Sequence, residues 1–155
     1  MGEEAQIIKI FPKLQYDTDF KITSSCTPNY NCIAWAYYYD DRWMWPGGQE
    51  MKICDGFHYW PNGVEDSEDV SAFIKAFEKT GYVVCNSPDF EEGFRKIALY
   101  VIKNTTTCTH AARQLSNGKW TSKLGLLNDI QHGTPYTIEG LQYGEVYCIM
   151  KREYK

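Results

Sequence analysis

The sequence predicts an α+β domain in which N-terminal helices pack on an antiparallel sheet, and three observations predict it. Residues 32–39 are apolar on nearly every side, as in a buried helix. Val70, Phe73, Ile74 and Phe77 recur at helical spacing. From Tyr82 onward the chain breaks into short strand-like runs, two of which flank Asn117-Gly118, the strongest short hairpin signal. Helices first and strands after is the α+β order.

Each element has a local reason. Residues 6–16 form a short apolar piece ended by Pro12. Pro28 stands where prolines favour a helix start, and Asn29 or Asn31 can cap the helix that holds Cys32. Residues 43–63 mix Trp43, Trp45 and Trp60 with Pro46, Gly47, Gly48, Pro61 and Gly63, which reads as an ordered loop. Ser67 can cap the next helix, Glu68 and Asp69 suit its first turn, and Gly81 stops it. Tyr82–Cys85 is a strand. Phe94–Ile102 is a second, although Glu91 to Lys103 also fits a helix. Cys108–Leu115 and Lys119–Leu124 are the arms of the Asn117-Gly118 hairpin, and Gly144–Lys151 closes the sheet with Val146, Cys148 and Met150 alternating against Tyr147 and Ile149.

The 155 residues suit one domain spanning 1–155, with 43% apolar and 15% aromatic residues to fill its core. A net charge of −4 with no basic patch beyond Lys151-Arg152 argues against nucleic acid as a partner. No run approaches a membrane span, and the start lacks the basic and apolar regions of a signal peptide, so the expected location is cytoplasmic, or delivery as an effector. The six cysteines match no disulfide framework, and Cys85, Cys108 and Cys148 sit in strand-like runs as reduced core residues. Cys54 and His58 have a ligand-like spacing, but no second pair completes a zinc site; no metal and no cofactor are expected.

The chemistry-bearing pair is Cys32, at a helix start, and His110, at a strand start. A helix N-terminus and a neighbouring imidazolium both favour the thiolate, the reactive form of cysteine. The Cys32 N–H, with Asn31 beside it, could hold an oxyanion. The expected mechanism is attack by Cys32 on an acyl carbonyl with His110 shuttling the proton. Trp35, Trp45 and Trp60, with Asn31, are the candidate substrate contacts.

Asn31-Cys32-Ile33-Ala34-Trp35 and the hairpin from His110 to Trp120 resemble the papain-like cysteine fold, and within it the NlpC/P60 amidases and peptidases, over about residues 29–125. Asn-Cys-Ile-Ala-Trp-Ala, Thr-His-Ala-Ala-Arg-Gln-Leu and Trp-Thr-Ser-Lys-Leu-Gly are together similar to a family of uncharacterised bacterial proteins. The likeness implies a cysteine hydrolase or acyl transferase (peptidase, amidase or deamidase) acting on a protein or peptide-like substrate. It implies a third residue on the strand after Asn117-Gly118, near Ser122 or Lys123. With a two-residue turn His110 shares its side with Thr121 and Lys123, and Ser122 joins only through a bulge. Lys123 is a poor orienter while charged, and Asp129 or His132 could serve instead. The competing reading is a non-catalytic binding protein of immunity, inhibitor or effector type, using the Trp-rich loop 43–60 on a protein partner. Cys32 buried with its sulfur away from His110 favours that reading.

Overall fold

The computed structural model describes residues 2–25, 29–40, 42–46, 57–124 and 127–153, the side chains of Phe57 and His58 excepted. Among these, helix is sparse: α1 (Glu3–Ile10), α2 (Cys32–Ala36) and α3 (Val70–Glu78), with 3₁₀ turns at Pro12–Tyr16 and Pro135–Ile138. Strands dominate: β1 (Lys21–Ile22), β2 (Arg42–Met44), β3 (Phe57–Tyr59), β4 (Val83–Cys85), β5 (Phe94–Val101), β6 (Cys108–Gln114), β7 (Trp120–Lys123), β8 (Asp129–His132) and β9 (Glu145–Glu153). Seven of them make one antiparallel sheet in the order β1-β8-β7-β6-β5-β9-β4. This corrects the expected fold class. The molecule is β-rich, built on a seven-stranded sheet, and not a papain-like α+β fold of N-terminal helices packed on a sheet. The helical signals were sound locally but short: α2 spans one turn, and α1 lies on the opposite side of the sheet from α2 and α3.

Local sequence accounts for the short helices. Asn31 caps α2, its Oδ1 accepting the Ala34 N–H at 3.1 Å. The helix stops when Tyr38 turns left-handed (φ 73) and the Tyr39 N–H closes onto the Ala34 carbonyl, where glycine is the usual residue. Asp69, not Ser67, caps α3 by accepting the Ser71 N–H, while Ser67 Oγ accepts the Asp69 N–H one step earlier. The stretch read as a loop over 43–63 holds β3 and most of β2, which pair in parallel as a separate two-stranded sheet; residues 47–56 of it lie outside the described residues.

The seven-stranded sheet is covered on both faces, which explains the near-continuous burial of β5 from Lys96 to Val101. Ile97, Leu99 and Val101 face one core with Ala111 and Met150, under α2 and α3. Ala98 and Tyr100 face the other with Ala112, Trp120, Ile130 and Ile149, under Ile7, Phe11 and Leu14 of the N-terminal segment. Odd-numbered residues of β5 and even-numbered ones thus belong to different cores, so the helix alternative over 91–103 fails.

The hairpin between β6 and β7 sets the register. Gly118 N–H bonds the Leu115 carbonyl at 3.0 Å and Leu115 N–H bonds the Lys119 carbonyl at 2.7 Å, so the loop is Ser116-Asn117-Gly118, with Gly118 left-handed (φ 88). This is a type I turn closed by a glycine bulge, one residue longer than the two-residue turn the dipeptide suggests. The pairs become Arg113 with Thr121 and Gln114 with Trp120. Even-numbered residues of β6 now share a face with even-numbered residues of β7, which puts Ser122 on the side of His110.

Candidate functional site

Cys32 opens α2 and is 6% exposed, in the core under the helices with Leu99, Cys108 and Ala111. Burial pushes its thiol up to about 11, and the N–H groups of Ala111, Ile33 and Cys32 itself, then the Lys123 charge, recover only part of that. A one-turn helix adds little dipole to help. Cys32 is therefore a neutral thiol at physiological pH. His110 stands opposite Tyr100 in the sheet, one residue from Ala111 on β6, and so points to the other face. Its ring stacks on Tyr143 (centroids 4.0 Å apart, 10° between planes) and meets the edge of Tyr100 at 5.1 Å. The structure does not bring Cys32 and His110 together: β6 itself separates them. The extra residue Thr109, at the bulge where Val101 pairs with Cys108 but Tyr100 with His110, leaves Cys108 in the helical core while turning His110 away.

On its own face His110 meets Ser122 and His132. His110 Nε2 lies 3.0 Å from Ser122 Oγ, Ser122 Oγ lies 2.8 Å from His132 Nε2, and His132 Nδ1 lies 2.8 Å from the Thr134 carbonyl. The carbonyl accepts only, so His132 Nδ1 carries the proton and Nε2 is an acceptor. Ser122 then donates to His132, and His110 Nε2–H donates to Ser122. This assignment leaves His110 Nδ1 as a bare lone pair, and that atom is buried without a hydrogen-bond partner. All three residues are fully buried. Burial, then the charge His132 would carry, holds His110 well below the ordinary imidazole range, and burial holds His132 down to about 4 despite the Thr134 carbonyl and Asp17. The trio is a neutral relay buried inside the core.

The remaining site candidates take structural positions. The Asn31 amide serves the backbone: Oδ1 accepts from Ala34 and Met44, and Nδ2 donates to the Met44 carbonyl at 3.0 Å. Asn31→Ala is expected to cost about 2–4 kcal/mol, since it removes the cap and strands two buried backbone groups of Met44. Urea unfolding checks this, and a loss below about 0.5 kcal/mol would mean that the amide is not structural. Trp45 and Trp60 both meet Phe73 edge-on at 5.1 Å, with indole N–H groups on Glu68 and the Glu65 carbonyl. They lid the α3 core. Lys123, fully buried, donates to the Leu127 carbonyl and pairs in register with Asp129, whose Oδ2 accepts the Tyr30 hydroxyl at 2.6 Å. Both face α2, away from His110. Cys54 and the His58 side chain lie outside the described residues; among those described, no group of three His, Cys, Asp or Glu side chains is placed to hold a metal ion.

Trp35 differs from the other tryptophans. Half-buried, it stacks on Tyr30 at 5.3 Å, donates to Thr121 Oγ1 at 3.0 Å, and carries the Arg113 guanidinium 4.4 Å above its ring. Arg113 also lies 4.1 Å over Tyr38, whose other neighbour is Arg95 at 4.4 Å. These arginines are spread across separate strands and make no run, so no local sequence signal marks them.

The fold and its interior define a β-rich domain with buried thiol and imidazole groups and an arginine–aromatic rim. The chain belongs to the family described as a domain of unknown function, DUF7689, whose model matches residues 21–151. Nothing in that match links it to papain-like or NlpC/P60 proteins. Comparison with curated proteins and with solved structures gives no match. No helix among the described residues is long and apolar enough to cross a membrane.

Proposed function

We propose that this chain is a non-catalytic binding domain rather than a cysteine hydrolase, and that its partner is a protein or peptide. The observation that carries the reading is the division of Cys32 and His110 between opposite faces of β6. A thiol raised to about 11 and an imidazole held low stay neutral together, so the ion pair that activates a nucleophile does not form. The half-buried Trp35 and Arg113 and the exposed Tyr38 supply the residue types that anchor interfaces.

Iodoacetamide labelling of the native protein across pH, read at each cysteine by mass spectrometry, tests it. Cys32 is expected to stay unlabelled at pH 8 until denaturant is added. Selective labelling of Cys32 with a midpoint well below a free thiol, raised by His110→Ala, would overturn the proposal in favour of thiol catalysis.

A further inference from the structure

Three guanidinium groups converge at the open end of the helical face. Arg95 on β5 and Arg152 on β9 are direct cross-strand partners, and Arg113 on β6 pairs with Ile97, two residues along from Arg95. Like charges placed opposite each other destabilise a sheet, and this chain is acidic overall. Among the described residues, no carboxylate lies within salt-bridge distance of Arg113 or Arg152, and Arg113 Nε is buried without a hydrogen-bond partner.

Aromatic residues wall the cluster. Tyr38 holds a left-handed backbone (φ 73) that brings its ring between Arg95 and Arg113. Tyr82, just past α3, is 3% exposed, braced edge-on by Phe77, with the Arg152 guanidinium 5.8 Å from its ring centroid. Its hydroxyl is buried and donates to nothing. Burial, then Tyr38, raises that phenol above its ordinary range while Arg95, Arg152 and Arg113 oppose the rise, so all three charges reach the one hydroxyl. Arg95, Arg113 and Arg152 are each half-buried and Tyr38 is exposed, so the cluster opens to solvent.

The geometry points to a binding site for a phosphate-monoester oxyanion, held by the Arg113 and Arg152 guanidiniums beside Arg95, with the Tyr82 hydroxyl as a neutral donor. A phosphoryl group carries close to two negative charges and three acceptor oxygens, and so answers the two guanidinium forks of Arg113 and Arg152 and a phenol better than a carboxylate does. Guanidinium forks present paired donors to such oxygens, and the rings restrict where they can point. The inference rests on the binding reading above and names what is bound, but it uses no residue of the Cys32 or His110 environments. If Cys32 proves reactive while phosphate binds, only the non-catalytic reading falls.

The test is titration of the purified chain with inorganic phosphate, followed by calorimetry and thermal unfolding against chloride and acetate at matched ionic strength. Phosphate alone is expected to bind and to raise the unfolding temperature. Tyr82→Phe, which deletes one donor, is expected to weaken binding about tenfold, and Arg113→Lys, which keeps the charge but loses the fork, to weaken it as well. Arg152→Gln at the solvent edge gives the same reading if a buried change unfolds the protein. A phosphotyrosine peptide that binds more tightly than inorganic phosphate assigns the site to a modified protein, and equal affinity assigns it to a free anion. Phosphate acting no differently from chloride, acetate competing equally, or parent-like affinity in the folded variants would overturn the site.

Discussion

Gly144→Ala is expected to abolish stable folding, or to lower stability by about 2–5 kcal/mol where folding survives. Gly144 sits at φ 80, and a Cβ there would stand 1.9 Å from the Val101 carbonyl oxygen, 2.7 Å from its carbon and 3.0 Å from Ile102 Cα. All three atoms are backbone at the end of β5, so no side chain can swing aside. The left-handed conformation costs a non-glycine residue about 1–2 kcal/mol by itself, and forced separation of packed backbone adds about 1–3 more. Gly144 also exchanges both backbone hydrogen bonds with Gly140, and its neighbour Tyr143 stacks on His110. Displacing it therefore loosens the β5–β9 pairing and the imidazole relay together. The comparison is Gly93→Ala, at φ 89 with nothing within 4 Å of its Cβ, which isolates the conformational cost. Equal urea midpoints for the two variants would show that the close approach to Val101 is not real.

Acid is expected to destabilise the fold well above the pH at which carboxylates protonate. His132 falls from 6.5 in the unfolded chain to about 4 in the folded one, and His110 is lowered in the same direction. Between those values the unfolded chain binds more protons, so stability rises with pH and is lost as pH falls. The contribution is complete above about pH 6.5 and disappears toward pH 4. For His132 this amounts to about 3 kcal/mol, and His110 adds to it. Asp129 works the other way: burial raises its carboxyl, so the folded state takes up that proton first and offsets part of the loss. Urea unfolding from pH 8 to pH 4.5 should show a plateau and then a steep fall. Ser122→Ala should lower the plateau by about 2–4 kcal/mol, because it leaves two buried imidazole nitrogens without partners. A flat profile over that range would mean that the imidazoles are solvated, and the buried relay would have to be abandoned.

Much of the fold was legible where a feature depends on neighbours in sequence. Asn31 as the α2 cap, the helical face of Val70, Phe73 and Phe77, and the hairpin at Asn117-Gly118 all follow from local chemistry. What failed depended on single-residue offsets. The Asn-Gly pair marks the hairpin but not whether Ser116 belongs to its loop, and that one residue decides whether Ser122 or Lys123 faces His110. The bulge at Thr109 is equally silent in sequence, yet it turns His110 away from Cys32. The fold class went astray because the apolar run around Cys32 read as a substantial buried helix, whereas the buried surface is mostly supplied by strands covered on both faces. The arginine cluster was invisible for the opposite reason: Arg95, Arg113 and Arg152 meet only after three strands have paired.

The sheet also acts as a partition. Its two faces carry separate cores, with the arginine rim and Cys32 on one and the histidine relay on the other, and few side chains belong to both. Changes confined to opposite sides of such a wall share no partners, and their energetic effects are close to additive. The surface that meets a ligand can thus vary its residues while the far side keeps the domain folded, so recognition and stability are free to be tuned independently.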